Sequence, residues 1–308
     1  MNIVFMGTPD FAVPSLDILV KNGYNIVGVV TATDKYGGRG MKKLIESPVK
    51  KYAVENGLRV LQPKNLKSPE FVEELRSLKA DLQIVVAFRM LPEIVWNMPP
   101  LGTYNLHSSL LPKYRGAAPI NWAIIKGEKE TGVTSFKLQH QIDTGDILFQ
   151  EKIDIGENET AGELHDRLMI LGAEVVLKTV NAIKQGKVEL HEQDDIEATK
   201  APKIFTEDCE INWNDTTLNI HNFIRGLSPF PGAWTTLDEK NFKIFKTLKI
   251  EGQTNKEQGI LFTDNKKYLH ISTKDGLIDV LEVKMQGKKK MDIRSFLNGY
   301  KINYNKLK

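Results

Sequence analysis

A doubly wound, mostly parallel α/β sheet followed by a smaller β-barrel domain is the fold class this sequence predicts, on three observations. Short apolar runs alternate with amphipathic stretches over residues 1–186. The runs "NIVFM" (2–6), "NIVGVVT" (25–31) and "DLQIVVAF" (81–88) are apolar almost throughout, the pattern of strands covered on both faces. After residue 205 the pattern changes to short strands separated by Gly, Asn and Asp turns.

Each element has a local reason. The first strand leads into "FAVPSLDILVKNG" (11–23), whose apolar spacing is helical. "SPVKKYAVENG" (47–57) and "SPEFVEELRSL" (68–78) read as helices with serine as N-cap and proline at the first helical position. "RVLQ" (59–62), "GTYNLHS" (102–108), "TGVTSFKL" (131–138) and "DILFQEKIDI" (146–155) read as strands, and residues 160–186 as one long helix. Residues 187–205 are polar without periodicity, which predicts a linker. Beyond them come a short helix over 216–227 and strands within 241–250, 259–264, 267–273 and 276–284, the spacing of an OB-like barrel. The expected organisation is a Rossmann-like domain over 1–186, a linker over 187–205 and an OB-like domain over 206–308.

A chain of 308 residues, 41% hydrophobic and 26% charged, has the composition of an ordinary globular protein and room for two domains. Its one cysteine, Cys209, excludes an internal disulfide and fits a reducing compartment. No apolar run approaches the roughly 20 residues of a membrane helix. The opening "MNIVFMGTPDF" lacks a basic stretch and is broken by Gly7, Pro9 and Asp10, so it reads as a strand rather than a signal peptide. A cytoplasmic protein is expected. Charge is uneven: residues 205–308 carry 17 basic against 13 acidic side chains, and the last 21 residues are net +6. A polyanionic partner and a merely solvated lysine-rich tail both fit that imbalance.

The six histidines (107, 140, 165, 191, 221 and 270) show no paired ligand spacing, so no metal is expected. "GTPDF" after the first strand is not GxGxxG, and no phosphate-binding loop of Walker type is present. The chemistry concentrates in "TYNLHSSLLPKYRGAAPINWAI" (103–124). Asn105 and His107 sit two apart on a strand, hence on one face, near the strand's end where open α/β sheets bind ligands. "QHQIDTGD" adds Asp143 in a loop after another strand. An amide donor and an imidazolium can stabilise an oxyanion while a carboxylate sets the imidazole's charge and orientation, a set suited to acyl transfer in which the substrate brings the nucleophile. Ser108 and Ser109 lack the GxSxG elbow of serine hydrolases. Asp146, near Asp143, reads as a solvent-facing residue at a strand start.

"NLHSSLLPKYRGAAPINWAI" with the later "IDTGD" resembles the formyltransferases that use 10-formyltetrahydrofolate. The resemblance implies a catalytic trio of Asn105, His107 and Asp143 and a folate-flanking segment of Ser109, Leu110, Leu111 and Pro112. "GTPDFAVPSL" (7–16), "DKYGGRGMKKLIESPVK" (34–50) and "IRGLSPFPGAW" (224–234) resemble the branch of that family that formylates methionyl-tRNA. It implies transfer of a formyl group to methionine on initiator tRNA by a monomeric enzyme, with Arg39, Lys42 and Lys43 of the basic loop meeting the tRNA. One departure is "VVAFRMLP" (85–92), a residue shorter than the VVAYG-x-ILP of many members and carrying Arg89. Formylation of an amino sugar or other small amine, and a tRNA-binding module without catalysis, are the alternatives.

Overall fold

The computed structural model describes every residue except 38, 39, 41, 42, 253–256, 304–306 and 308. Two compact units emerge: Met1–Gly116 with Gly132–Ile153 and Asp166–Lys200, and Ala117–Thr131 with Asp154–His165 and Ala201–Lys308.

In chain order the elements up to the first catalytic candidates are β1 (Asn2–Gly7), α1 (Val13–Lys21), β2 (Asn25–Val30), β3 (Lys35–Gly37), β4 (Lys43–Ile45), α2 (Pro48–Glu55), β5 (Val60–Leu61), α3 (Pro69–Ser77), β6 (Leu82–Val86), α4 (Glu93–Trp96) and β7 (Thr103–His107). They continue with β8 (Arg115–Gly116), α5 (Pro119–Ile125), β9 (Glu130–Lys137), β10 (Ile147–Asp154), α6 (Ala161–Lys184) and β11 (Lys200–Ala201). The serine caps form as expected: Ser47 Oγ accepts from Lys50 N at 3.0 Å and Ser68 Oγ from Phe71 N at 3.3 Å.

The first unit holds a seven-stranded sheet in the order β10-β9-β7-β6-β1-β2-β5. β1 pairs in parallel with β2 and β6, β2 with β5, and β6 with β7. All of β6 is buried, which explains why it is apolar except at Gln83. The chain winds outward from β1 through β2 to β5, then restarts on the other side with β6 and β7, so the order reverses between β1 and β6. The crevice beyond the carboxyl ends of strands at such a reversal is where α/β sheets take ligands. Gly7 ends β1 there, and a Cβ on it would lie 2.7 Å from Ala12 Cβ and 3.1 Å from Val86 O. Only glycine lets the next turn pack that closely.

The second unit adds α7 (Thr217–Gly226), β12 (Ala233–Leu237), β13 (Lys240–Glu251), β14 (Leu261–Thr263), β15 (Leu269–Ser272), β16 (Gly276–Met285), β17 (Met291–Asp292) and α8 (Ile293–Gly299). Its antiparallel sheet runs β12-β13-β16-β15-β14, with β17 also on β16. Among the described residues no pair joins β12 to β14. α7 packs on β13 and β16, and its face enters an apolar core with Trp213, Ile244, Val283 and Phe296. Thr217, His221, Asn222 and Arg225 are the buried polar residues of α7. His221 Nδ1 meets Thr247 Oγ1 at 2.9 Å, and Arg225 Nη1 donates to Gly156 O at 3.1 Å and Glu159 O at 2.9 Å. No helix among the described residues is long and apolar enough to cross a membrane.

Burial, reinforced by the Arg225 charge, pushes His221 down from 6.5 to about 4. A folded-state value below the unfolded one means that folding favours the neutral ring. The stabilisation is therefore complete above the unfolded value and lost as pH falls through the folded one. Stability should fall on acidification through that window, with a limiting slope of about 1.4 kcal/mol per pH unit for this proton. Urea unfolding at a series of pH values checks it: His221→Leu, though less stable at neutral pH, should show a flatter dependence than the parent.

Candidate active site

β7 presents the first candidates. Asn105, the one partly exposed residue of the strand, precedes buried His107 by one strand period, so both project from one face. The chain then turns through 108–114 without regular structure and enters β8, with many of its polar groups bound. Ser109 Oγ donates to Lys113 O at 2.6 Å, and Thr134 Oγ1 on β9 donates to Ser109 O at 2.6 Å and accepts from Leu111 N at 3.2 Å. Gln150 Nε2 donates to Leu111 O at 2.7 Å. Ser109 and Leu111 are thus buried parts of the loop's frame, while Leu110 and Pro112 keep accessible surface.

The loop returns a carbonyl to the imidazole. His107 Nε2 lies 2.8 Å from Tyr114 O. A carbonyl only accepts, so Nε2 carries the proton and Nδ1 is the ring atom left for other work. Nδ1 lies 3.8 Å from Asp143 Oδ2, and both side chains are largely buried. Asp143 Oδ2 also accepts from Gly116 N at 2.9 Å. Segment 114–116 therefore touches both partners, the imidazole through a carbonyl and the carboxylate through an amide.

Asp143 arrives by a route that the sequence does not suggest. β9 runs antiparallel to β7, with Lys137 opposite Tyr104 and Thr134 opposite His107. The loop after Lys137 therefore leaves from the far end of β7 and must return to reach His107. Asp143 itself has a left-handed φ of 55°. Gln193, inside the polar stretch 187–205, holds the loop there and gave no sequence signal. Asp146 is partly exposed and accepts at its carbonyl from Lys137 N at 2.9 Å.

Arg39 and Lys42 lie outside the described residues. Lys43 opens β4, exposed, in the β3–β4 hairpin. Both stems of that hairpin are tied down: Lys50 bonds Asp34 before β3 and Glu46 after β4, the latter at 2.7 Å. The Lys50 ammonium, helped by Gln62, holds the Asp34 carboxyl below the usual carboxylate range. Arg89 reaches from the loop after β6 to Lys64 O at 3.0 Å and also bonds Pro63 O. Among the described residues no cluster of three or more His, Cys, Asp or Glu could hold a metal ion.

A buried imidazole beside a carboxylate, one strand period from an amide and next to a sheet-reversal crevice, suits acyl transfer to a nucleophile supplied by the substrate. The model of the formyl transferase family matches residues 1–180, and that of the formyl transferase C-terminal domain matches residues 203–301. The chain belongs to the formyltransferase family. Among curated members, a methionyl-tRNA formyltransferase of Azobacteroides pseudotrichonymphae is 54% identical over 308 residues, covering 96% of this chain and 95% of that protein. One from Parabacteroides distasonis is 51% identical, covering 98% and 96%. Among solved formyltransferases, the Helicobacter canadensis N-formyltransferase, in complex with folinic acid and dTDP-3-aminofucose, aligns with a TM-score of 0.69 at 23% identity, over 94% of this chain and 99% of that one. The Clostridium thermocellum methionyl-tRNA formyltransferase aligns at 0.58 and 16% identity, over 92% and 98%. These two likenesses establish the shared fold.

Gly145 sets how closely this formyltransferase's return loop packs, since a Cβ on it would fall 1.7 Å from Lys137 O. Gly145→Ala should cost about 1–3 kcal/mol by overpacking. Denaturant titration checks this: a change within error would mean that the backbone there yields freely.

Proposed function

We propose that this chain transfers the formyl group of 10-formyltetrahydrofolate to the α-amino group of methionine esterified to initiator tRNA, as a monomer in the cytoplasm. The observation that carries the reading is 54% identity, sustained over 96% of the chain, to a relative named methionyl-tRNA formyltransferase. Catalysis is assigned to residues 1–186 and tRNA binding chiefly to 206–308 and the basic 34–50 loop, joined through 187–205.

The neutral amine attacks the formyl carbon, the bond from that carbon to N10 of the folate breaks, and the proton lost by the amine ends on N10. Asn105 and the Nδ1–H of protonated His107 are the donors assigned to the developing oxyanion, Nε2–H being committed to Tyr114 O. Asp143, 3.8 Å from Nδ1, orients the imidazole and can relay the amine's proton towards the folate, directly or through water. Phe88 after β6, with Leu110 and Pro112 of the Ser109, Leu110, Leu111 and Pro112 segment after β7, retains apolar surface suited to a flat pterin. Ser109 and Leu111 act through the loop frame. Arg39, Lys42 and Lys43 are assigned to tRNA phosphates, where a guanidinium can fork and an ammonium cannot.

The reading is tested by incubating the purified chain with 10-formyltetrahydrofolate and, separately, methionyl-tRNA, a dTDP-linked amino sugar and free methionine. Formyl-methionine should form rapidly only from methionyl-tRNA; a preference for the amino sugar would overturn the assignment. Asn105→Ala, His107→Ala and Asp143→Ala should each lower turnover by about 10²–10³-fold, and double variants should fall far short of additivity. Near-parental turnover in any one of them removes that residue from the mechanism.

Binding to tRNA should weaken steeply as salt rises, because neutralised phosphates release condensed counterions. Arg39→Ala should lower kcat/KM for methionyl-tRNA while barely altering slow formylation of a minimal amine. Equal slowing of both substrates would mean that the loop does not read tRNA.

A further inference from the structure

Gln193 is buried, 7% exposed, in a stretch whose sequence reads as a linker, and all four hydrogen-bonding positions of its carboxamide are used. Nε2 donates to Asp143 O at 2.9 Å and Gly145 O at 2.7 Å, while Oε1 accepts from Arg115 Nε at 3.1 Å and Nη2 at 2.8 Å. The orientation admits no flip, since carbonyls only accept and a guanidinium only donates.

We propose that Gln193 is a positioning residue for formyl transfer, clamping the 143–145 backbone to Arg115 so that the Asp143 carboxylate stays at the imidazole of His107. The proposal rests on the reaction assigned above. Arg115 lies between the two residues that define the pair, Tyr114 whose carbonyl takes the Nε2 proton of His107 and Gly116 whose amide donates to Asp143. The return loop has no strand pairing of its own at Asp143, and a left-handed non-glycine residue persists only where its surroundings over-determine it. Gln193 supplies that constraint at the carbonyl of Asp143 itself. Its own segment is fastened to two of these residues: Tyr114 N donates to Thr199 Oγ1 at 2.8 Å, Arg115 N to Thr199 O at 2.9 Å, and Arg115 Nη2 pairs with Asp195 at 2.8 Å. Residues 193–199 thus form a strap that grips Tyr114 and Arg115 on one side and, through Gln193, the Asp143 loop on the other.

Two substitutions separate the clamp from mere volume. Gln193→Met fills similar space with no hydrogen bonds. Gln193→Glu keeps shape and the Arg115 contacts but cannot donate to the two carbonyls, and it carries the test should the methionine variant fail to fold. Both are made in the full chain, alone and with Asp143→Asn, and compared with the parent, whose production of formyl-methionine from methionyl-tRNA establishes the reaction separately. Each single variant should lower kcat by about 10–100-fold, the scale of a small misplacement in the site, with KM for methionyl-tRNA within about twofold. In the Asp143→Asn background, followed under single-turnover conditions, the same substitutions should cost almost nothing further. An equal loss in both backgrounds, or an unchanged kcat, overturns the proposal.

A second readout does not depend on catalysis. The Gly116 amide proton, bonded to the Asp143 carboxylate, should move upfield in the proton–nitrogen spectrum of both variants. A resonance that stays in place overturns the clamp even if the parent proves to formylate another amine or none.

Discussion

His107 is held by a backbone carbonyl, and much of the surrounding loop exists to put that carbonyl where it is. Tyr114 can turn its oxygen to Nε2 only because it adopts a left-handed φ of 61°. It keeps that conformation because Ser109, Thr134 and Thr199 satisfy the polar groups of segment 109–114. Each such bond contributes only about 0.5–1.5 kcal/mol net, but leaving one unmade inside the protein costs about 1–3 kcal/mol. The loop is therefore specified less by what its bonds add than by what their absence would cost. A loop with one affordable conformation is what an imidazole needs if its tautomer is to be fixed before substrate arrives.

Part of the backbone strain lies in the same region, while Lys79, Asp238, Glu239 and Asn265 carry positive φ elsewhere. Ala87 after β6, Tyr114 after β7 and Asp143 in the return loop all have positive φ without being glycine. Such residues cost roughly 1–3 kcal/mol each and survive where rigid neighbours leave no alternative. Here the neighbours are β6, buried along its length, β7, buried except at Asn105, and the strap at 193–199. Ala87 follows a strand beside the crevice, Tyr114 bonds His107 through its carbonyl and Asp143 lies beside that ring, in the unit whose sheet reversal independently marks a ligand site.

How far the sequence could be read depended on how local each signal was. The parallel strands, the Ser47 and Ser68 caps and the shared face of Asn105 and His107 are written in a few neighbouring residues, and all appear as expected. β12, α8 and the β3–β4 hairpin were missed because strands and helices of five to seven residues or fewer barely outlast the turns around them. The return of Asp143 was invisible for another reason: it depends on β9 running antiparallel, which periodicity does not report. Gln193 was the hardest case. Its partner Arg115 lies 78 residues away, and a polar residue in a polar stretch looks solvated until both partners are in place.

The departure at residues 85–92 has a physical counterpart. A segment one residue short after β6 has less chain with which to form a wall beside the crevice. Arg89 ties that segment to the backbone carbonyls of Pro63 and Lys64, beyond β5. The side chain thus joins the loop after β6, β1's neighbour on one side, to the loop after β5, the edge strand on the other, and its guanidinium carbon lies 5.9 Å from the centroid of the Phe88 ring. These bonds are exposed, so they add little to global stability. Their effect is local, replacing length with a tether and holding Phe88 and Met90 in register with the end of β6. A wall anchored through a side chain yields more readily to an incoming planar ring than one fixed by backbone pairing. That difference leaves untouched the geometry at His107, which is set by 108–116, Thr134 and the Asp143 loop.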